Sequence, residues 1–91
     1  MINLSDVFSG IHSILIKEVI GTHNVQQRIL DLGIGWVDSG LTLIENYDID
    51  SYLINVHYRT GKLTMGYVSV GYEKVDSTRE LMIDEFEELM G

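Results

Sequence analysis

Apolar residues recur at helical spacing near the start of the chain. Val7, Phe8, Ile11, Ile14, Leu15 and Val19 fall on one face when successive residues turn by about 100°. Ser5 and Asp6 are suited to open this helix, and Gly21 is suited to end it in the left-handed conformation. Ile16 and Ile20 make a second stripe outside that arc, so the element needs cover from more than one direction. Glu18 falls inside the apolar arc, where a carboxylate requires a partner or an edge position. A shorter second helix is expected from Val25 to Leu32, capped by Thr22 or Asn24, with Ile29 and Leu32 inward and Gly33 as its stop.

The period then changes to two. Leu41–Tyr47, Tyr52–Tyr58 and Leu63–Val70 alternate in the manner of strands, and Ile34–Gly40 reads as a connection. Arg59-Thr60-Gly61-Lys62 offers a two-residue hairpin turn with glycine second. Closing the hairpin there pairs Tyr58 with Leu63, Val56 with Met65 and Ile54 with Tyr67 on the core face. His57 then meets Thr64 and Asn55 meets Gly66 on the other face. With an even loop before Tyr52, Leu41 and Leu43 join the core face, and an antiparallel meander of three strands results.

The last segment, Ser77 to Gly91, has the pattern of an amphipathic helix. Met82, Ile83, Phe86, Leu89 and Met90 form the apolar stripe, and Glu80, Asp84, Glu87 and Glu88 share the opposite arc. Ser77 and Glu80 have the spacing of a capping box. Leu81 projects on the charged side between Glu85 and Glu88, away from the core stripe. Glu85, Glu87 and Glu88 crowd the C-terminal turns, where the helix dipole disfavours each carboxylate by about 0.3–1 kcal/mol. The expected fold is therefore a single α+β domain over residues 1–91: two N-terminal helices, a three-stranded antiparallel meander and a C-terminal acidic amphipathic helix.

Composition changes that picture mainly through charge. Fourteen acidic residues oppose six basic ones for a net charge of −8, and the acids concentrate at the C-terminal end. Such a field repels nucleic acid and anionic membranes at long range and favours a basic protein partner. The apolar content of 45% suits one modest core in 91 residues. There is no cysteine, which excludes disulfides and thiolate chemistry and allows a cytoplasmic setting. No secretory signal pattern and no run of about 20 apolar residues is present, so a membrane association is not expected. Alanine and proline are absent, a bias associated with AT-rich bacterial or phage coding.

Candidate chemistry is sparse. Gly33-Ile34-Gly35-Trp36-Val37-Asp38 has two glycines of a phosphate loop, but Asp38 replaces the third and the segment precedes a strand. Asn46, Asp48 and Asp50 alternate as oxygen ligands do, without the glycine and later ligand that a calcium loop needs. His12, His23 and His57 lack metal-site spacing. Ser13 beside His12, and Ser69, carry no nucleophile signature. Tyr52, Tyr58 and Tyr67 belong to the core face of the hairpin rather than to a stacking platform. No catalytic residue, no metal site and no cofactor is expected, and the chain is read as a protein that is not an enzyme.

The functional expectation is a small acidic protein-binding protein. Its candidate partner-binding residues are Glu80, Leu81, Asp84, Glu85, Glu87 and Glu88. Asp76 to Glu88 spans about 20 Å as a helix, and a nucleic-acid strand carries about six phosphates over that length. Six carboxylates lie in the same span. That line charge suits an inhibitor, such as an anti-CRISPR or anti-restriction protein of a phage or mobile element, that occupies a basic nucleic-acid-handling partner. The opening Met1-Ile2-Asn3-Leu4-Ser5-Asp6 resembles the start of phage uracil-DNA glycosylase inhibitors. The acidic motif that follows in that family is not found here, so no residue or target is carried over. The alternative is a homo-oligomeric module, a homodimer for example, joined through Ile44, Leu53, Val68 and Val70, with the acidic face merely solvated.

Overall fold

A computed structural model describes residues 2–18, 25–44, 51–68 and 75–91. Its elements in chain order are α1 (Leu4–Phe8), β1 (Ser13–Lys17), α2 (Val25–Asp31), β2 (Gly35–Trp36), β3 (Ser51–Val56), β4 (Leu63–Val68), β5 (Thr78–Leu81) and α3 (Ile83–Met90). The strands form one five-stranded mixed sheet in the order β2-β4-β3-β1-β5. β1 and β3, and β3 and β4, run antiparallel, whereas β1 and β5, and β2 and β4, run parallel. This corrects the expected architecture: the chain folds as a five-stranded mixed sheet with short helices, not as two N-terminal helices and a three-stranded meander.

The first departure comes at Gly10. Asn3 Oδ1 accepts the Ser5 amide at 2.9 Å and starts α1 one residue before Ser5. The helix then stops after Phe8, because Gly10 takes a φ of 84°. There the Ile11 amide returns to the Asp6 carbonyl at 2.9 Å and the Gly10 amide to Val7 at 3.1 Å, the paired bonds of a Schellman stop. Ser13, Ile14, Leu15 and Ile16 thereby become the interior strand β1, between β3 and β5 and buried on both faces. A strand covered on both sides carries a continuous apolar run: Ile14 and Leu15, which helical counting put on one stripe, point to opposite faces of β1, and Ile16 shares the face of Ile14. Phe8 and Ile11, placed on a core face by helical counting, are exposed.

The hairpin closes with a longer loop than its turn residues suggest. The His57 amide donates to the Lys62 carbonyl at 2.8 Å and the Gly61 amide to His57 at 2.9 Å, leaving Tyr58–Gly61 as a four-residue loop with Gly61 at φ 69°. Val56 consequently faces Leu63, Ile54 faces Met65 and Tyr52 faces Tyr67, a shift of two residues from the expected register. A shift of two keeps every side chain on its own face, which is why the core alternation survives. Tyr58 is thrown onto the loop and is 84% exposed, and Tyr67 is half exposed, so only Tyr52 of the three is core. Of the strand expected from Leu41 to Tyr47, residues 41–44 are irregular and exposed, and residues 45–47 lie outside the described residues.

A two-residue strand replaces it on that edge. Gly35 and Trp36 pair in parallel with Thr64 and Met65. The chain then doubles back: the Trp36 amide donates to Leu41 at 3.0 Å, the Gly40 amide to Trp36 at 2.7 Å, and the Trp36 indole to the Leu43 carbonyl at 2.8 Å. A Cβ on Gly35 would stand 2.6 Å from the Gly40 carbonyl oxygen, so this close return requires glycine.

At the other edge, Thr78 to Leu81 is strand and not the first turn of a helix. Ser77, expected as a helix cap, instead gives its carbonyl to the Ser13 amide at 3.2 Å, and the buried Ser13 and Thr78 hydroxyls bond at 2.9 Å. α3 begins at Ile83, where Glu85 Oε1 accepts the Met82 amide at 3.1 Å, so the reach-back expected from Glu80 is made five residues later. Phe86 on α3 and Ile29 on α2 are fully buried in one cluster with Ile14, Ile16, Ile54 and Met65 of the sheet.

Candidate functional site

The carboxylates expected on one helical arc are divided between a strand and a helix, and most are engaged within the chain. Glu80 lies on β5 opposite Leu15 and forms an ion pair of 3.2 Å with Lys17 Nζ. Asp84 and Glu87 face α2, where Arg28 grips both. Its Nη2 donates to Asp84 Oδ1 at 2.6 Å and to Glu87 Oε1, and its Nε donates to Glu87 Oε2 at 3.1 Å. The hydrogen bonds that Arg28 donates to Glu87, and then the one it donates to Asp84, push the guanidinium pKa further above its already high value. Arg28 is therefore a permanent cation that joins α2 to α3 through one carboxylate in the first turn of α3, Asp84, and one in its C-terminal half, Glu87. Sequence counting misses it because its partners lie 56 and 59 residues away.

What remains outward is Glu85, Glu88 and the exposed side of Asp84. Glu85 caps α3 through one oxygen, and Glu88 has no hydrogen bond or ion pair among the described residues. These two line a shallow groove of about 350 Å³ together with Ile2, Leu81 and Leu89. Leu81 does not stand apart from the core: it pairs with Ile16 in the sheet, is half-buried, and packs against the core cluster from the edge. A second cleft of about 310 Å³ shares Leu81 and Glu85 and adds Lys17, Glu80 and the exposed Met82. The structure thus brings Leu81, Glu85 and Glu88 to one groove and turns Asp84 and Glu87 toward Arg28. The sequence signal for Leu89 was its place on the apolar stripe; nothing local marks Ile2.

The four residues of the second candidate patch are not assembled as expected. Leu53 pairs with Gly66 and Val68 with Ser51, so they are diagonal neighbours on the sheet face that also carries Leu15. Both are half-buried. Ile44 is exposed on the irregular segment after β2, and Val70 lies outside the described residues.

Glu18, the carboxylate that needed a partner, has one. The Tyr52 hydroxyl donates to Glu18 Oε2 at 2.6 Å and receives the Gln26 side-chain amide at 3.3 Å. Burial first, and the neighbouring carboxylate next, push the Tyr52 pKa up to about 12, against the Gln26 hydrogen bond that lowers it. This trio ties the ends of β1 and α2 to β3 inside the protein, beside Trp36, whose ring centre is 6.4 Å from that of Tyr52.

Among the described residues no group of three potential metal ligands occurs. Asn46, Asp48, Asp50, His23 and Ser69 lie outside those residues. His12 Nδ1 is 3.2 Å from the Ser77 carbonyl, and the Ser13 hydroxyl is occupied by Thr78. Among the described residues no helix is long and apolar enough to cross a membrane. The fold and groove define a small α+β protein built on a mixed sheet, with an acid-rimmed apolar groove beside its C-terminal helix. Comparison with protein-family models, with curated proteins and with solved structures gives no match to this chain.

Proposed function

We propose that this chain is a non-enzymatic protein-binding protein whose groove between β5 and α3 receives a basic partner, as an inhibitor of a nucleic-acid-handling protein would. The observation that carries the reading is the groove itself: Ile2, Leu81 and Leu89 form an apolar floor, with Glu85 and Glu88 beside it. An apolar side chain flanked by lysine or arginine complements that arrangement, with the floor supplying burial and the carboxylates supplying steering and register. The acidic surface available to a partner is narrower than the total charge, since Glu80, Asp84 and Glu87 already hold Lys17 and Arg28. That favours a local anchored contact over mimicry of an extended phosphate row.

The test starts from immobilised protein, a retained partner identified and purified, and its affinity measured against variants. Glu85→Gln with Glu88→Gln should slow association and flatten its salt dependence, and Leu89→Asp should remove binding, with the thermal transition retained in the glutamine pair. A partner whose affinity is the same for all of these variants would sink the proposal.

A homo-oligomer has one observation of its own. Val37, Leu41, Leu43 and Ile44 are all exposed beside the β2 edge. Light scattering at high concentration distinguishes the two: a dimer that Leu43→Glu dissociates favours self-association, and a monomer removes it.

A further inference from the structure

The cations of this acidic protein are not all spent on its own carboxylates. Lys17 and Arg28 are ion-paired, and Arg79 donates to the Asp76 and Thr78 carbonyls. Among the described residues, no carboxylate engages Lys62 or Arg59. Both stand on the β3–β4 loop, and no Asp or Glu occurs anywhere from Ser51 to Val68. The guanidinium of Arg59 lies over the Tyr58 ring at 5.4 Å, and His57 stacks against that ring at 5.1 Å, so the loop is a cationic and aromatic tip.

Below that tip lies a cleft of about 290 Å³, between the loop and the β2 turn. Gly35 and Gly40 form one wall, and His57, Thr60, Lys62 and Thr64 form the other. The glycine wall follows from the close chain return, since a Cβ on Gly35 would strike the Gly40 carbonyl. Hydrogen bonds fix the polarity of the opposite wall. Thr60 Oγ1 accepts the Lys62 amide at 3.2 Å, which leaves its hydroxyl hydrogen to donate elsewhere. His57 Nδ1 accepts the Arg59 amide at 3.2 Å, so the ring hydrogen sits on Nε2. The cleft is thus lined by residues that carry an ammonium, a hydroxyl and an imidazole N–H, and no acid is among its lining residues. Asp38, the charge that argued against a phosphate loop in this glycine segment, is not one of them.

We propose that this cleft binds a phosphate group, as the free dianion or as the monoester of a small molecule, with Lys62 as the charged anchor and Thr60 and His57 as donors. Donors of one polarity around a small concave site, with a single unengaged ammonium, are the chemistry that selects a compact multiply charged oxyanion. The volume is near the lower end of small-molecule clefts and exceeds what a bare phosphate fills, which leaves room for a short ester substituent. The site is separate from the acid-rimmed groove and does not depend on it.

Amide NMR titration of the whole chain with inorganic phosphate, and in parallel with methyl phosphate, tests this at constant ionic strength. Saturable shifts confined to the Gly33–Gly40 and His57–Thr64 segments are expected, with tighter binding of the ester indicating a monoester ligand and equal binding indicating free phosphate. Lys62→Gln, an exposed substitution, should weaken binding at least tenfold while leaving the other resonances in place, and Thr60→Val should weaken it less. Shifts that chloride reproduces, or that Lys62→Gln leaves unchanged, would overturn the proposal. Absence of any saturable response to either anion would do the same.

Discussion

The Tyr52 hydroxyl donates to Glu18 Oε2 across 2.6 Å, joining the middle of the sheet to the residue that follows β1. In the folded protein the phenol holds its proton to about pH 12, against 10 for the free side chain. Between those values the unfolded chain binds fewer protons, so stability falls as pH rises through this window; below about pH 10 the contribution is complete. Tyr52→Phe removes the bonds that the hydroxyl makes to Glu18 and Gln26 and should lower stability by about 1–2 kcal/mol at neutral pH. The gap between wild type and Tyr52→Phe should narrow as pH is raised from 10 to 12, as thermal melts of the two proteins will show. A constant gap would refute it.

Gly35 and Gly40 should respond to alanine for different reasons. At Gly35 the added methyl meets the Gly40 carbonyl, and repacking costs about 1–3 kcal/mol. At Gly40 the space is open but φ is 72°, so the cost is the left-handed backbone alone, about 1 kcal/mol. Urea midpoints of the two variants should fall in that order.

Arg28 acts by charge and geometry together. Arg28→Gln should lower the melting temperature at low salt, and the difference should shrink as salt rises, since the Asp84 carboxylate is largely exposed and the Arg28 side chain only part-buried. A double-mutant cycle with Glu87→Gln should be non-additive because the two residues share one pair of bonds. Additive losses would mean that the helices are joined by apolar packing alone.

Trp36 holds the β2 turn by its indole hydrogen. Trp36→Phe keeps an aromatic ring near Tyr52 and Tyr67 but releases the Leu43 carbonyl. The expected loss is about 0.5–1.5 kcal/mol, with faster hydrogen exchange at the amides of residues 36 and 40, which close that turn. Unchanged exchange at both positions would show that the glycine geometry suffices.

Legibility in the sequence follows how local each determinant is. The segment Val25–Asp31 is helical and turns Ile29 inward, as its spacing and the following glycine imply, although Leu30 takes the buried place assigned to Leu32. The alternation in β3 and β4 placed Ile54, Leu63 and Met65 on the buried face, because a register change of two does not alter it. Helical counting failed on Ser13–Ile16, where four consecutive buried residues satisfy a helix stripe and a two-sided strand equally well. Of the candidate site, Leu81, Glu85 and Glu88 were expected side by side on one helix, whereas Leu81 comes to the groove from β5 and the two glutamates from α3. That Lys17 and Arg28 neutralise Glu80, Asp84 and Glu87 was not readable from spacing, because those pairs join residues far apart in the chain.

The sequence by itself determined the charge of −8, the absence of thiol chemistry, the stop at Gly33, and the two-residue alternation of the hairpin. Each depends on composition or on contacts within a few residues. Tertiary structure decided that Ser13–Lys17 lies between β3 and β5, that Thr78–Leu81 is strand rather than helix, and that Glu85 and Glu88 flank the groove. Those choices follow from burial on both faces of a strand and from ion pairs across the fold, and neither has a local energy from which sequence periodicity can distinguish them.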